Sequence, residues 1–192
     1  MFRLERSHFA GPQDYANWAN LGRHVVGHVV IAIVLTILVL ILMASMQFLH
    51  RWPIAVGPAA VLGALVIIRF WVEAMGVGPA QAAAWSSSVA LLISGVYLGG
   101  VASRFGLSSA RQLLAPALAV GWTWRYWAFL AALLGAAAPF YKTHFFDPSS
   151  GRVAARLASF AVGSILEGFI AGLVVWAIAV WIARATRAAD QS

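Results

Sequence analysis

The chain has 192 residues, of which 62% are hydrophobic and 10% charged. A soluble domain carries about 25% charged residues because its surface faces water, so this chain lacks the polar surface its length would demand, and lipid is its expected solvent. Its 13 Lys and Arg against 6 Asp and Glu are scattered singly over loops and helix ends, which suits contact with lipid phosphates and leaves no continuous patch for nucleic acid.

All but Lys142 of the basic residues are arginine, and there is no cysteine. A disulfide framework, a thiolate metal site and a cysteine nucleophile are therefore excluded. The expected fold class is all-α: a polytopic membrane helix bundle of about five transmembrane helices, forming one membrane domain over residues 1–192.

In chain order, residues 1–24 are polar and mixed in charge. They lack the apolar run and small-residue cleavage site of a signal peptide and read as part of the mature protein. A crossing helix needs about 20 apolar residues. The first candidate is 25–49, rich in Val, Ile and Leu on every face. The second, 54–75, follows the breaker His50-Arg51-Trp52-Pro53. The third, 81–103, follows Gly76-Val77-Gly78-Pro79. The fourth, 117–140, follows the basic stretch from Arg104 to Pro116, and the fifth, 157–183, is bounded by arginines at both ends. Segments two to five are richer in Gly, Ala and Ser. Small residues let helix backbones approach in lipid, so Gly168 and Gly172 in segment five, and Gly95 and Gly99 in segment three, are the expected packing positions.

The fourth segment has a second reading. Gly121-Trp122-Thr123-Trp124-Arg125-Tyr126-Trp127 resembles an interfacial aromatic belt, which would make residues 111–121 a surface helix broken at Pro116. Lys and Arg counts on the two sides are nearly equal, so the positive-inside rule gives no orientation. A cytoplasmic N-terminus and a bacterial inner (cytoplasmic) membrane are the expectation.

Phosphate-loop, HExxH, GxSxG and selectivity-filter motifs are all missing from the sequence, and no cofactor is expected. The informative residues are ionisable groups inside apolar helices, each costing about 2.5–3.5 kcal/mol to insert. Glu167 lies about 5 Å from the middle of segment five. Arg69 in segment two lies about 7 Å beyond its midpoint toward the same side, with Ser87 of segment three at a similar depth. Glu73 is one turn after Arg69 on the same face, at a level matching His28.

These depths suggest a polar seam of Glu167, Arg69, Glu73 and Ser87, with Arg125 on the wrong side of the midplane to join it. Two structural readings are simpler: an Arg69–Glu167 pair joining segments two and five, or a local Arg69–Glu73 pair with Arg69 snorkelling to the surface. The seam is a pathway only if water reaches it. His24 and His28, spaced i, i+4, can face one ligand, with Glu73 a conceivable third group; headgroup-solvated histidines are the plainer reading, and no metal site is assigned. His144 and Asp147 read as a loop hydrogen bond.

Three functions compete. The first is a small transporter or channel using the seam between helices 2, 3 and 5, as a homo-oligomer. The second is a non-catalytic membrane subunit or assembly factor of a larger membrane complex. The third is a lipid-acting membrane enzyme, which no nucleophile–base spacing recommends.

Overall fold

A computed structural model describes residue 47 and residues 49–137, 143–146 and 152–189. The expected first crossing, 25–49, the polar residues 1–24 and the histidines His24 and His28 lie outside the described residues, apart from Gln47 and Leu49. Every described element is helical; the only extended pairing among them is an isolated bridge between Thr143 and Phe146.

Helix α1 spans Pro53–Ala74. Pro53 occupies a first-turn position, where its missing N–H costs nothing and its fixed φ suits a helix. The chain leaves α1 through Gly76 at φ 92°, a left-handed conformation that glycine adopts without strain. A four-residue helix α2, Pro79–Ala82, and a 3-10 turn, Ala83–Trp85, lead into α3, Ser87–Val101. Ser86 caps α3 by accepting a hydrogen bond from the Ser88 N–H at 3.3 Å. The helix closes in a 3-10 turn, Ala102–Phe105, that ends on Gly106 at φ 69°.

Helix α4 spans Ala110–Ala137 as one continuous element. The alternative of a separate surface helix broken at Pro116 is thereby corrected. Ser109 and Gln112 form a capping box: Gln112 N–H donates to Ser109 Oγ at 3.3 Å, and Ser109 N–H donates to Gln112 Oε1 at 3.0 Å. Two otherwise orphaned donors are satisfied, which starts the helix seven residues before the expected 117. Pro116 is then an interior residue, fully buried; prolines are tolerated inside membrane helices, where packing partners or local adjustment can satisfy the freed backbone group. Helix α5 spans Val153–Ala189, about 55 Å at 1.5 Å per residue.

Four helical stretches are long and apolar enough to cross a membrane: Pro53–Ala74, Ala80–Phe105, Ala110–Ala137 and Val153–Ala189. The chain is a helical, membrane-compatible bundle with four such stretches among the described residues.

Helix α4 is central, packed against α1, α3 and α5, whereas α5, the expected central helix, is the least buried of the four crossing stretches. The largest interface of α5 is with the antiparallel α4, and its next with the parallel α3. Glycines decide both. Gly121 of α4 lies directly against the backbone of Gly168 and Gly172, so close that a Cβ there would overlap main-chain atoms. A Cβ on Gly172 would fall 2.8 Å from Leu118 Cα, and one on Gly95 or Gly99 would fall 2.8 or 2.7 Å from the Cβ of Ile178 or Ile182. Gly63 on α1 leaves room for the Trp127 indole of α4. Around these contacts Leu62, Leu98, Leu113, Val120 and Val175 form the main core; Val66, Phe70, Ala131 and Leu134 form a smaller one near the 143–146 turn.

Gly121→Leu should therefore lower stability by at least about 2 kcal/mol, in the upper part of the overpacking range. Gly100→Ala, whose Cβ meets nothing within 4 Å, should raise it by about 0.5–1 kcal/mol. Thermal unfolding in detergent micelles reads both signs.

Candidate functional site

The polar residues inside the bundle fall into separate clusters. On α1, Arg69 Nε donates to Glu73 Oε1 at 3.0 Å. The Glu73 side chain is 1% exposed, and it also takes the 143–146 turn: the His144 backbone N–H donates to Oε2 at 2.7 Å, and His144 Nδ1 lies 2.7 Å from the same carboxylate. Phe145 of that turn packs on Phe70, with ring centroids 6.4 Å apart. One buried carboxylate thus collects three donor positions and ties α1 to the turn, which is how a buried charge is kept tolerable. The expected partner of His144, Asp147, lies outside the described residues.

Glu167 is paired elsewhere. Its Oε2 lies 2.8 Å from an Arg125 terminal nitrogen, whereas Arg69 pairs with Glu73, so the Arg69–Glu167 pair of the expected seam is replaced by an Arg125–Glu167 pair. The cause is the position of α4. A span of 117–140 is centred between Ala128 and Phe129, whereas Ala110–Ala137 is centred between Thr123 and Trp124, about 7.5 Å away. That shift carries Arg125 across the midpoint to the side where Glu167 sits, about 6 Å from the α5 centre at Ala171. Ser87 does not join either pair; its Oγ accepts a hydrogen bond from Trp124 Nε1 at 2.8 Å.

The expected aromatic belt is also corrected. Trp122 and Trp124 lie near the middle of α4 and cross to other helices, Trp122 Nε1 donating to the Ile165 carbonyl at 3.1 Å. Trp176 Nε1 donates to the Ala110 carbonyl at 2.7 Å. An indole N–H buried in lipid needs an acceptor, and these three find one across a helix interface.

Arg125 is enclosed by aromatic rings, its guanidinium carbon 5.1 Å from the Phe160 centroid and 5.3 Å from that of Trp124. Such placement favours a cation. Its side chain is 16% exposed while that of Glu167 is 54% exposed, so the pair is open on the carboxylate side. That side is a cleft of about 400 Å³ lined by Arg125, Arg156, Ser159, Phe160, Gly163 and Glu167. A second cavity of similar size and apolar lining shares Arg125 and reaches Ser164 between Tyr126 and Ile165. Arg125 Nε and Ser164 Oγ are buried without a hydrogen-bond partner among the described residues.

Compared with protein families, curated proteins and solved structures, the chain matches none. Function is therefore argued from these side chains alone.

The two carboxylates should respond differently to truncation. Glu73→Ala should cost about 3 kcal/mol, as for removal of one partner from a buried pair, and should expose the 143–146 turn to protease. Glu167→Ala, half open, should cost about 1 kcal/mol or less. Denaturation midpoints and limited proteolysis in detergent check the contrast.

Proposed function

We propose that the chain is a small membrane transporter or channel whose polar pathway passes the Arg125–Glu167 pair. The observation that carries this reading is the half-open Glu167 carboxylate, deep in α5 yet facing the cleft that runs by Gly163 and Ser159 to Arg156. A carboxylate exposed to acyl chains would be expensive; one that lines a wet cleft is not.

In this reading residues 25–49 supply a fifth crossing, and a second copy of the chain covers the open side of the cleft. Four or five helices make a thin bundle for a monomeric pathway, so a homo-oligomer is part of the proposal. A second reading, a non-catalytic subunit of a larger membrane complex, draws on the exposed apolar face of α5 at Val162, Ile165, Leu166 and Ile170. A different chain co-purifying in fixed stoichiometry would favour it.

The test is flux in liposomes carrying pH-sensitive and anion-sensitive dyes. Glu167→Gln and Arg125→Gln should each reduce protein-dependent flux at least tenfold while leaving helix content unchanged by circular dichroism. Flux equal to that of protein-free liposomes, or flux untouched by both substitutions, would reject the pathway.

A further inference from the structure

Arginines that are scattered along the sequence are gathered by the fold at one end of the bundle. Arg187 of α5 donates from Nε to the Ala183 carbonyl at 2.9 Å and from a terminal nitrogen to the Ser108 carbonyl at 2.6 Å. The last turns of α5 are thereby tied to the connection between α3 and α4. That connection carries Arg104 on one side of Ser108 and opens α4 with Arg111 on the other. Arg184 lies one turn before Arg187 on the same face of α5. All four residues are exposed, and Arg104, Arg111 and Arg184 have no ion-pair partner among the described residues.

Acidic side chains are kept away from this end. Among the described residues they are Glu73 and Glu167. Glu167 lies about 26 Å before Arg184 along α5. Helix α1 starts at the arginine end, since a Cβ on its Gly57 would lie 4.0 Å from Tyr97 Oη, near the close of α3, and Glu73 falls in its last turn. Guanidinium groups assembled without a counter-charge form a surface complementary to a polyanion.

The residues beside the arginines say which polyanion. Trp181 is 69% exposed and lies one turn before Arg184 on the same face of α5. Phe105, 45% exposed, follows Arg104 directly. Large exposed rings next to guanidiniums at the end of apolar helices suit a membrane–water interface, where rings sit at headgroup depth and long basic side chains reach outward. A soluble acidic partner would account for the charges alone; a lipid leaflet accounts for the charges and the rings. We propose that Arg104, Arg111 and Arg184, on elements that Arg187 holds together, bind the phosphates of anionic phospholipids, with Trp181 and Phe105 seated beside them. The planar guanidinium fork matches a phosphate through two parallel hydrogen bonds. This surface is separate from the Arg125–Glu167 cleft and does not depend on transport.

The test uses the full chain in detergent, supplied with phosphatidylglycerol and phosphatidylcholine of matched acyl chains, and reads retained lipid by native mass spectrometry. Phosphatidylglycerol should be held at least tenfold more strongly. Arg104→Gln, Arg111→Gln and Arg184→Gln should each weaken its retention by about two- to fivefold, as expected for one basic residue at an anionic surface. The triple substitution should abolish the headgroup preference, while Arg152→Gln, at the opposite end of α5, should leave it intact. Helix content by circular dichroism should be unchanged in every variant, because the substituted side chains are exposed. In nanodiscs of phosphatidylcholine alone, soluble polyphosphate should not be retained.

A preference that the triple substitution removes and Arg152→Gln preserves supports the surface. Four results overturn it: equal retention of the two lipids, a preference that survives the triple substitution, an equal loss on Arg152→Gln, or retention of polyphosphate, which would assign the arginines to a soluble partner. Flux through the Arg125–Glu167 cleft is measured separately, so either reading can fail while the other stands.

Discussion

The backbone contact between Gly121 on α4 and Gly168 and Gly172 on α5 fixes the register on which the rest of the bundle depends. In lipid there is no hydrophobic force to press helices together, so close van der Waals contact and interhelical hydrogen bonds hold them. Three glycines let two main chains touch, and touching main chains leave little freedom to slide. Arg125 lies one turn beyond Gly121, and Glu167 immediately precedes Gly168. Once the glycines meet, the guanidinium and the carboxylate meet as a consequence. The Trp122 hydrogen bond to Ile165 and the stacking of Phe129 on Phe160 reinforce the same alignment.

Much of this organisation was legible in the sequence, and the part that was not has a definite cause. Spans two to five, the breakers between them and the small-residue positions on α3 and α5 follow from hydropathy and spacing, because lipid leaves helices as the simplest solution. The start of α4 was hidden by two opposed signals. Pro116 and the arginines before it suggest a loop, whereas Ser109 and Gln112, three residues apart, are the signature of a helix N-terminus. The second signal governs the structure. Weighing it would have moved the α4 centre and brought Arg125 to Glu167. The Trp122 and Trp124 side chains mislead for a related reason: an indole serves a membrane surface or a buried crossing equally well, and composition alone does not separate the two. The bond between His144 and Glu73 spans 71 residues and leaves no local trace.

The two acidic residues show how one chemical group is put to different uses. Glu73 is closed off, with a guanidinium, a main-chain amide and an imidazole converging on it. Such a group rigidifies its surroundings, and here it pins a connecting turn to a helix. Glu167 has one cation and an open flank. Among the described residues Arg125 is its one ion-pair partner, and the packing of α4 on α5 is maintained by the neighbouring glycines.

The length of α5 carries a consequence for the membrane itself. Its apolar stretch between Arg156 and Arg184 is about 40 Å long, against a hydrocarbon thickness of about 30 Å. Helix α1, at about 33 Å, fits an ordinary bilayer upright; α5 does not. The mismatch is relieved by leaning α5 or by thickening the lipid beside it, and because α3 and α4 are locked to α5 through glycine, they lean with it. A bundle so constrained resides more comfortably in a thick bilayer than in a thin one, and lipid thickness becomes a mechanical input to the helix that bears Glu167.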